Sequence, residues 1–268
     1  MRRGQRMFTY ARRSYKVGLV LVLCLLTWFA FATIYNLSVT PHFGKQFGNR
    51  ASVANRKLQN LEPYFNMCAA LCQAEPAFMQ SMVFPEVMRY NSLRDGVEAE
   101  SLRTLYVQLG EDYANFSIGI FQMKPSFAAV VEAKAKQHLP TSMLRELQLG
   151  YAATSETNIR QERLERLQDE HWQLVYLTAF TAICNSIYAD QPFSSREEKL
   201  QWYATVYNAG FDKPVAYIRQ KIKQDNFYFN ENMPGKKFKY AAIVLWHYRQ
   251  QIHNSLAITS TLPPSIPK

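Results

Sequence analysis

An uncharged apolar stretch near the amino terminus constrains this chain most. Residues 17–35 (VGLVLVLCLLTWFAFATIY) contain no charged side chain over 19 residues, which is enough for a helix to cross a bilayer core. Residues 1–16 carry six cations and no acid, so the positive-inside rule predicts that they stay in the cytoplasm and that the rest is exported. A cleaved signal peptide is the alternative, because small residues at Ala30-Phe31-Ala32 follow the apolar core. We expect the working domain to lie in a bacterial periplasm, held by a single-pass inner-membrane anchor if residues 17–35 are retained.

The net charge of the chain is concentrated at its two ends. The formal charge is +10, from 31 Lys and Arg against 21 Asp and Glu. Residues 1–16 carry +6, residues 17–208 carry −2, and residues 209–268 carry +6. A nucleic-acid-binding domain needs a basic surface on the folded domain itself. The distribution therefore predicts no nucleic-acid partner.

The chain beyond the apolar segment predicts a mostly α fold. The alternating apolar pattern of strands is scarce, whereas apolar residues recur at helical spacing. We predict a polar tether over residues 36–56, one helical domain over 57–253, and a disordered tail over 254–268, which contains three prolines. The predicted helices are Leu61–Phe84, Val97–Leu109, Ser126–His138, Thr141–Leu149, Asn158–Asp190, Glu197–Tyr207, Lys213–Lys223 and Phe238–His253.

Three short segments hold the candidate functional residues. Residues 83–90 (VFPEVMRY) place Glu86 directly after an apolar run. Residues 116–128 (FSIGIFQMKPSFA) contain a compact Gly-x-Phe-Gln group at Gly119, Phe121 and Gln122. Residues 203–210 (YATVYNAG) have the glycine that is typical of a helix C-terminus.

Taken together, the three segments resemble lytic transglycosylases of the soluble-lytic-transglycosylase type, which are relatives of goose-type lysozyme. That family has a catalytic Glu at a helix end, then a G-L-M-Q-x-x-P-x-[ST]-A segment, then A-Y-N-A-G. Here Gly119–Gln122, Pro125, Ser126 and Ala128 fit the second pattern, and Val206–Gly210 fits the third. The likeness extends over about residues 61–248. It implies a lysozyme-like helical domain that acts on peptidoglycan glycan strands.

The sequence departs from the family pattern at the acid, so the choice of Glu needs a physical argument. Glu86 lies 33 residues before Gly119, a longer interval than is common in the family, and is not followed by Ser. Glu100 does precede a Ser and lies 19 residues before Gly119. It falls opposite the apolar stripe of its helix, where it should face water and be ionised at neutral pH. A general acid must hold its proton, which burial favours. We therefore predict Glu86, which follows the apolar run Met79–Phe84, as the catalytic acid.

The resemblance implies cleavage of the β-1,4 bond between N-acetylmuramic acid and N-acetylglucosamine. Glu86 would protonate the leaving oxygen and then deprotonate the C6 hydroxyl of the sugar, which gives a 1,6-anhydro end without the second carboxylate of most glycosidases. Gly119 would let the backbone approach a sugar, and Gln122 would bind a hydroxyl or acetamido group. Tyr207 would hydrogen-bond the Glu86 carboxyl, and Asn208 would contact the substrate.

The residues leave several alternatives open. The side chain of Phe121 belongs to the core more often than to a cleft. Glu86 is alternatively a structural carboxylate paired with Arg89, on a silent murein-binding or scaffold domain. A hydrolytic muramidase is a further alternative, as is an interaction protein that recruits partners through an exposed apolar stripe on Asn158–Asp190. No histidine has metal-site spacing, so we predict no metal and no cofactor.

Overall fold

The structure, a computed structural model, describes residues 22–28, 43–229 and 236–261. Residues 1–46 and residues 47–268 form two compact units. In the first unit, residues 22–28 are helical. Within the described ranges, no helix is both long enough and apolar enough to cross a membrane. The predicted cytoplasmic segment 1–16 and most of the predicted anchor 17–35 lie outside the described residues.

The described part of the second unit is mostly helical, which confirms the predicted fold class at that level. A two-stranded antiparallel sheet pairs Phe227 with Phe238. The elements in chain order are α1 (Phe43–Asn60), α2 (Glu62–Leu71), α3 (Pro76–Arg89), α4 (Ser92–Leu109), α5 (Pro125–His138), α6 (Thr141–Leu147), α7 (Glu156–Gln168), α8 (Glu170–Ile187), α9 (Arg196–Ala209), α10 (Val215–Ile222), β1 (Phe227–Tyr228), β2 (Lys237–Phe238) and α11 (Tyr240–Thr261).

The structure differs from the predicted tether and tail. Helix α1 occupies most of residues 36–56, and its Ala51, Ala54 and Leu58 are buried. These apolar residues recur at a helical spacing that the polar residues between them obscure. At the other end, α11 continues to Thr261, beyond the predicted start of the tail at residue 254. The remaining tail residues 262–268 lie outside the described part of the chain.

Two predicted long helices are each divided in two. The first is interrupted at residues 72–75, and α3 restarts with Pro76 in its first turn, where the missing N–H costs nothing. The second is interrupted at Asp169, whose side chain accepts a hydrogen bond from the backbone N–H of Trp172 at 2.8 Å and so caps α8. The apolar side chains of α8 from Leu174 to Cys184 are buried, except Val175, which is half-buried. The exposed apolar stripe expected of a partner-recruiting helix is therefore not observed there.

Helix α3 lies at the centre of the second unit. It packs against α2, α9 and α11, and every residue from Phe78 to Met88 is buried. A helix that is buried on all sides is typical of a protein core. Glu86 is near the C-terminal end of this helix. The fold therefore places its carboxyl group inside the apolar core, next to the helices that pack against α3.

Candidate active site

The three segments singled out in the sequence meet at one cleft of about 530 Å³. Glu86 and Arg89 come from α3, Gln122 comes from the loop before α5, and Tyr207 comes from the end of α9. A cleft of this size is in the range of small-ligand sites. Its other lining residues are Asn115, Ser117, Met123, Lys124, Ser126, Phe127, Val130, Asn208, Ala209, Gly210, Phe211 and Asp212.

The carboxyl group of Glu86 is buried at the base of this arrangement. Only 3% of the residue is exposed. One oxygen, Oε1, accepts a hydrogen bond from Asn208 Nδ2 at 3.4 Å. The other oxygen, Oε2, lies 2.7 Å from Arg89 Nη2, but no described residue donates to it with hydrogen-bond geometry. Oε2 is itself buried, so Arg89 and Asn208 together hold the carboxyl group at the wall of the cleft that Glu86 lines.

The pKa of Glu86 is raised by its surroundings. Burial is the largest influence, since it opposes the charged form of the carboxyl. The Arg89 guanidinium, the Asn208 hydrogen bond and the Lys124 ammonium act in the opposite direction and lower the pKa. Because burial dominates, Glu86 keeps its proton to a higher pH than a glutamate in water, as a general acid requires.

The rival acid, Glu100, lies elsewhere in the structure. It lies on α4 and is exposed to solvent, and it does not line the cleft. The burial expected of Glu86 and the exposure expected of Glu100 are both observed, while the catalytic role of Glu86 stays a prediction. The apolar stripe from which the orientation of α4 was predicted is less buried than expected. Its Leu105 and Leu109 are exposed, while Tyr106 is buried.

A tight hairpin turn carries the second segment. Ile118 and Met123 form an antiparallel bridge, with backbone hydrogen bonds of 2.8 and 3.0 Å. Gly119 has φ +68°, and a Cβ there would stand 1.4 Å from Gln173 Nε2 and 2.8 Å from the carbonyl oxygen of Leu167. The role predicted for Gly119, approach of the backbone to a sugar, differs from this arrangement, in which the glycine makes room for Gln173.

The buried side chain of Gln173 holds this turn in place. Its Oε1 accepts a hydrogen bond from the backbone N–H of Phe121 at 2.8 Å, and its Nε2 donates to the carbonyl of Leu167 at 2.7 Å. The ring of Phe121 is fully buried and contacts the ring of Phe65. Phe121 therefore supports the site through its backbone and the core rather than as a lining residue.

Gln122 is the member of the turn that lines the cleft. It has φ +53°, a left-handed conformation that costs a residue other than glycine about 1–2 kcal/mol. Its Nε2 donates to the carbonyl oxygen of Gly119 at 3.0 Å. Backbone strain of this kind occurs most often at functional sites, and here it accompanies a polar side chain directed to the cleft.

The end of α9 differs from the prediction in its hydrogen bonds. The hydroxyl of Tyr207 donates to the carbonyl oxygen of Phe121 at 2.7 Å, not to the Glu86 carboxyl. The residue that hydrogen-bonds the carboxyl is Asn208, which was expected to contact the substrate. The predicted helix end is confirmed, since α9 ends at Ala209 and Gly210 follows with φ +99°. Tyr207 thus connects the end of α9 to the turn of the second segment.

Several contributors were missed by the sequence reasoning. Gln173 lies 52 residues from Phe121 in sequence, and Tyr240 donates from α11 to the carbonyl oxygen of Met82, one turn before Glu86, at 3.0 Å. Long-range contacts of this kind leave no local sequence signal. The cleft is also lined by Asn115, Lys124 and Ser126. Their closeness in sequence to the Gly-x-Phe-Gln group could have indicated that they belong to the site.

Comparison with known proteins adds no family assignment. No protein-family model, curated protein or solved structure matches the chain. In the part of the chain that the structure describes, no group of three or more His, Cys, Asp or Glu side chains is placed to hold a metal ion.

Proposed function

We propose that the protein is a membrane-anchored peptidoglycan lytic transglycosylase with a lysozyme-like helical domain in the periplasm. The observation that carries the proposal is the Glu86 carboxyl, which is buried at the cleft between Arg89 and Asn208 and has a raised pKa. Together with the motif resemblance at Gln122 and Tyr207, this arrangement supports a general acid that protonates a glycosidic oxygen.

The arrangement of the cleft favours an enzyme over a silent scaffold. A structural Glu86 would need only its ion pair with Arg89, and no cleft beside it. Instead the carboxyl lines a cleft together with Gln122 and Asn208, whose amides can bind hydroxyl and acetamido groups. In the proposed reaction Glu86 donates its proton to the leaving oxygen, then takes the C6 hydroxyl proton as that oxygen attacks C1 of the same sugar. The product is a 1,6-anhydro end.

A hydrolytic muramidase is a second candidate, and Asp212 favours it. This carboxylate lines the same cleft and is exposed, where it is in contact with water. In inverting glycosidases a second carboxylate activates a water molecule on the far face of the sugar. The two candidates leave different products, since hydrolysis gives a reducing end and transglycosylation gives an anhydro end.

Digestion of purified peptidoglycan by the full chain in mild detergent tests the proposal. Wild type should release fragments with anhydro ends, identified by mass spectrometry. Glu86→Gln should lower the rate by at least about 100-fold, because general acid catalysis contributes roughly 10²–10⁴. Glu100→Gln is the matched control and should retain activity. Reducing ends would transfer the conclusion to a muramidase, whereas full activity in Glu86→Gln, or none in wild type, would overturn the proposal.

A further inference from the structure

The proposed reaction assigns no role to Lys124, one of the cations that line the cleft. Lys124 and Arg89 are the basic residues that line the cleft. Arg89 is paired with Glu86 at 2.7 Å. Lys124 is exposed, and among the described residues its ammonium makes no hydrogen bond or ion pair. A sugar that is neutral needs hydrogen-bond donors and acceptors, not an unpaired cation, so Lys124 indicates an anionic group on the ligand.

The residues around Lys124 are suited to an anion as well. Lys124 is the N-cap of α5, and the N-terminus of a helix carries partial positive charge. Ser126 and Asn115 line the cleft beside it, and the backbone N–H of Ser126 donates to Asn115 Oδ1 at 3.4 Å. This contact uses the amide oxygen of Asn115 and leaves its NH₂ group and the Ser126 hydroxyl as donors. Hydroxyl and amide donors next to an ammonium are typical of carboxylate recognition.

We propose that Lys124, Ser126 and Asn115 form a subsite for a carboxylate of the bound glycan strand. The identity of the strand rests on the proposed function, whereas the preference for a carboxylate rests on these three residues. In peptidoglycan the carboxylate has two sources. One is the lactyl group of N-acetylmuramic acid when its peptide has been removed, and the other is the stem peptide itself. Both offer the same chemistry to the ammonium of Lys124.

Occupation of this subsite also helps the general acid. The Lys124 ammonium lowers the pKa of Glu86, which opposes retention of the proton. A ligand carboxylate beside Lys124 compensates that positive charge, so the bound strand itself favours the protonated form of Glu86. The other charged or titratable groups around Glu86 are Arg89, Tyr207, Tyr240 and Asp212. Of all the charged groups around Glu86, Lys124 is the exposed cation that a ligand can reach.

Binding measured without cleavage tests the subsite. Calorimetry on the full chain carrying Glu86→Gln compares a neutral chitin oligomer, peptide-stripped glycan strands with free lactyl carboxylates, and peptide-bearing strands. Addition of Lys124→Met should weaken binding of at least one carboxylate-bearing ligand by about fivefold, the size expected of an exposed ion pair. It should leave the chitin oligomer unchanged. The effect should disappear in about 1 M salt, where charges are screened within about 3 Å.

Two further variants and the pattern across ligands decide the outcome. Lys124→Arg should bind as the parent does, since it keeps the charge, and Lys136→Met, an exposed lysine on α5 outside the cleft, is the matched control. The carboxylate-bearing ligand that responds identifies the source of the anion. Equal weakening of all three ligands, or no weakening of any, overturns the subsite. Failure of the peptidoglycan digestion overturns the proposed function instead, because the binding assay needs no cleavage.

Discussion

Substitution of Gly119 by Ala should be among the most destabilising single changes in the chain. The new Cβ would lie 1.4 Å from Gln173 Nε2 and 2.8 Å from the Leu167 carbonyl oxygen, which no small adjustment relieves. The Gln173 side chain must leave, and its two buried hydrogen bonds, to Phe121 N–H and to Leu167 C=O, are lost. Each buried polar group left without a partner costs about 1–3 kcal/mol, and the backbone at φ +68° adds about 1–2 kcal/mol.

The sum is a loss of about 3–8 kcal/mol in the free energy of unfolding, a large part of the roughly 5–15 kcal/mol of a typical domain. Urea denaturation followed by tryptophan fluorescence measures it. Gly210→Ala is the matched control, because Gly210 also has positive φ but a Cβ added there would meet no atom within 4 Å. It isolates the backbone strain, about 1–3 kcal/mol in this region of φ and ψ.

A double-mutant cycle with Gln173→Ala tests whether the loss of the Gln173 hydrogen bonds causes this destabilisation. Gln173→Ala and Gly119→Ala each remove the same two hydrogen bonds, so their costs should not add. The loss in free energy of unfolding of the double variant should be smaller than the sum of the two single losses by about 2 kcal/mol or more. The reason is that the new methyl group occupies space that the glutamine side chain has vacated. Additivity within about 0.5 kcal/mol, or a cost for Gly119→Ala no larger than that of Gly210→Ala, would refute the role assigned to Gln173.

Two further predictions concern side chains of the core. Tyr207→Phe removes the 2.7 Å hydrogen bond to the Phe121 carbonyl and should cost about 1–2 kcal/mol of stability and lower kcat. The control Tyr203→Phe loses a 3.0 Å hydrogen bond to Asn185 away from the cleft and should lower stability alone. Equal effects of the two variants on kcat would contradict the role of Tyr207. Burial lowers the pKa of His247 to about 3, so the unfolded chain binds a proton near pH 6.5 that the folded chain refuses. Stability should therefore fall by a few kcal/mol as the pH drops from about 6.5 towards 3, and His247→Gln should show a shallower fall in Tm between about pH 7 and 4.5. An unchanged pH dependence in that variant would show that other groups control acid stability.

Burial and motif order were enough to predict the catalytic candidate and its neighbours. Glu86 follows an apolar run, and apolar runs become buried, so the sequence alone predicts that the pKa of Glu86 is raised. The end of α9 was predicted because Gly210 at a helix terminus has a local physical cause. Both inferences depend on residues that are adjacent in sequence.

The hydrogen-bond partners could not be predicted in the same way. Tyr207 and Asn208 are neighbours on α9, so they point about 100° apart around the helix, and their sequence does not indicate which one reaches Glu86. The structure assigns Asn208 to the carboxyl and Tyr207 to the Phe121 carbonyl. Gly119 illustrates the same limit, because its positive φ was compatible with several close approaches and the one observed involves Gln173, far along the chain.

The balance of influences on Glu86 suits a residue that acts twice. In the proposed reaction the carboxyl first donates a proton and then accepts one, so both of its states must be accessible within one turnover. Burial alone would fix the neutral form, whereas Arg89 and Asn208 stabilise the anion that remains after donation. Glu100, by contrast, is exposed on α4 and does not line the cleft. In the proposed reaction, burial in the core favours the protonated form of Glu86 that acts as the acid. Its two polar neighbours, Arg89 and Asn208, favour the anion that then acts as the base.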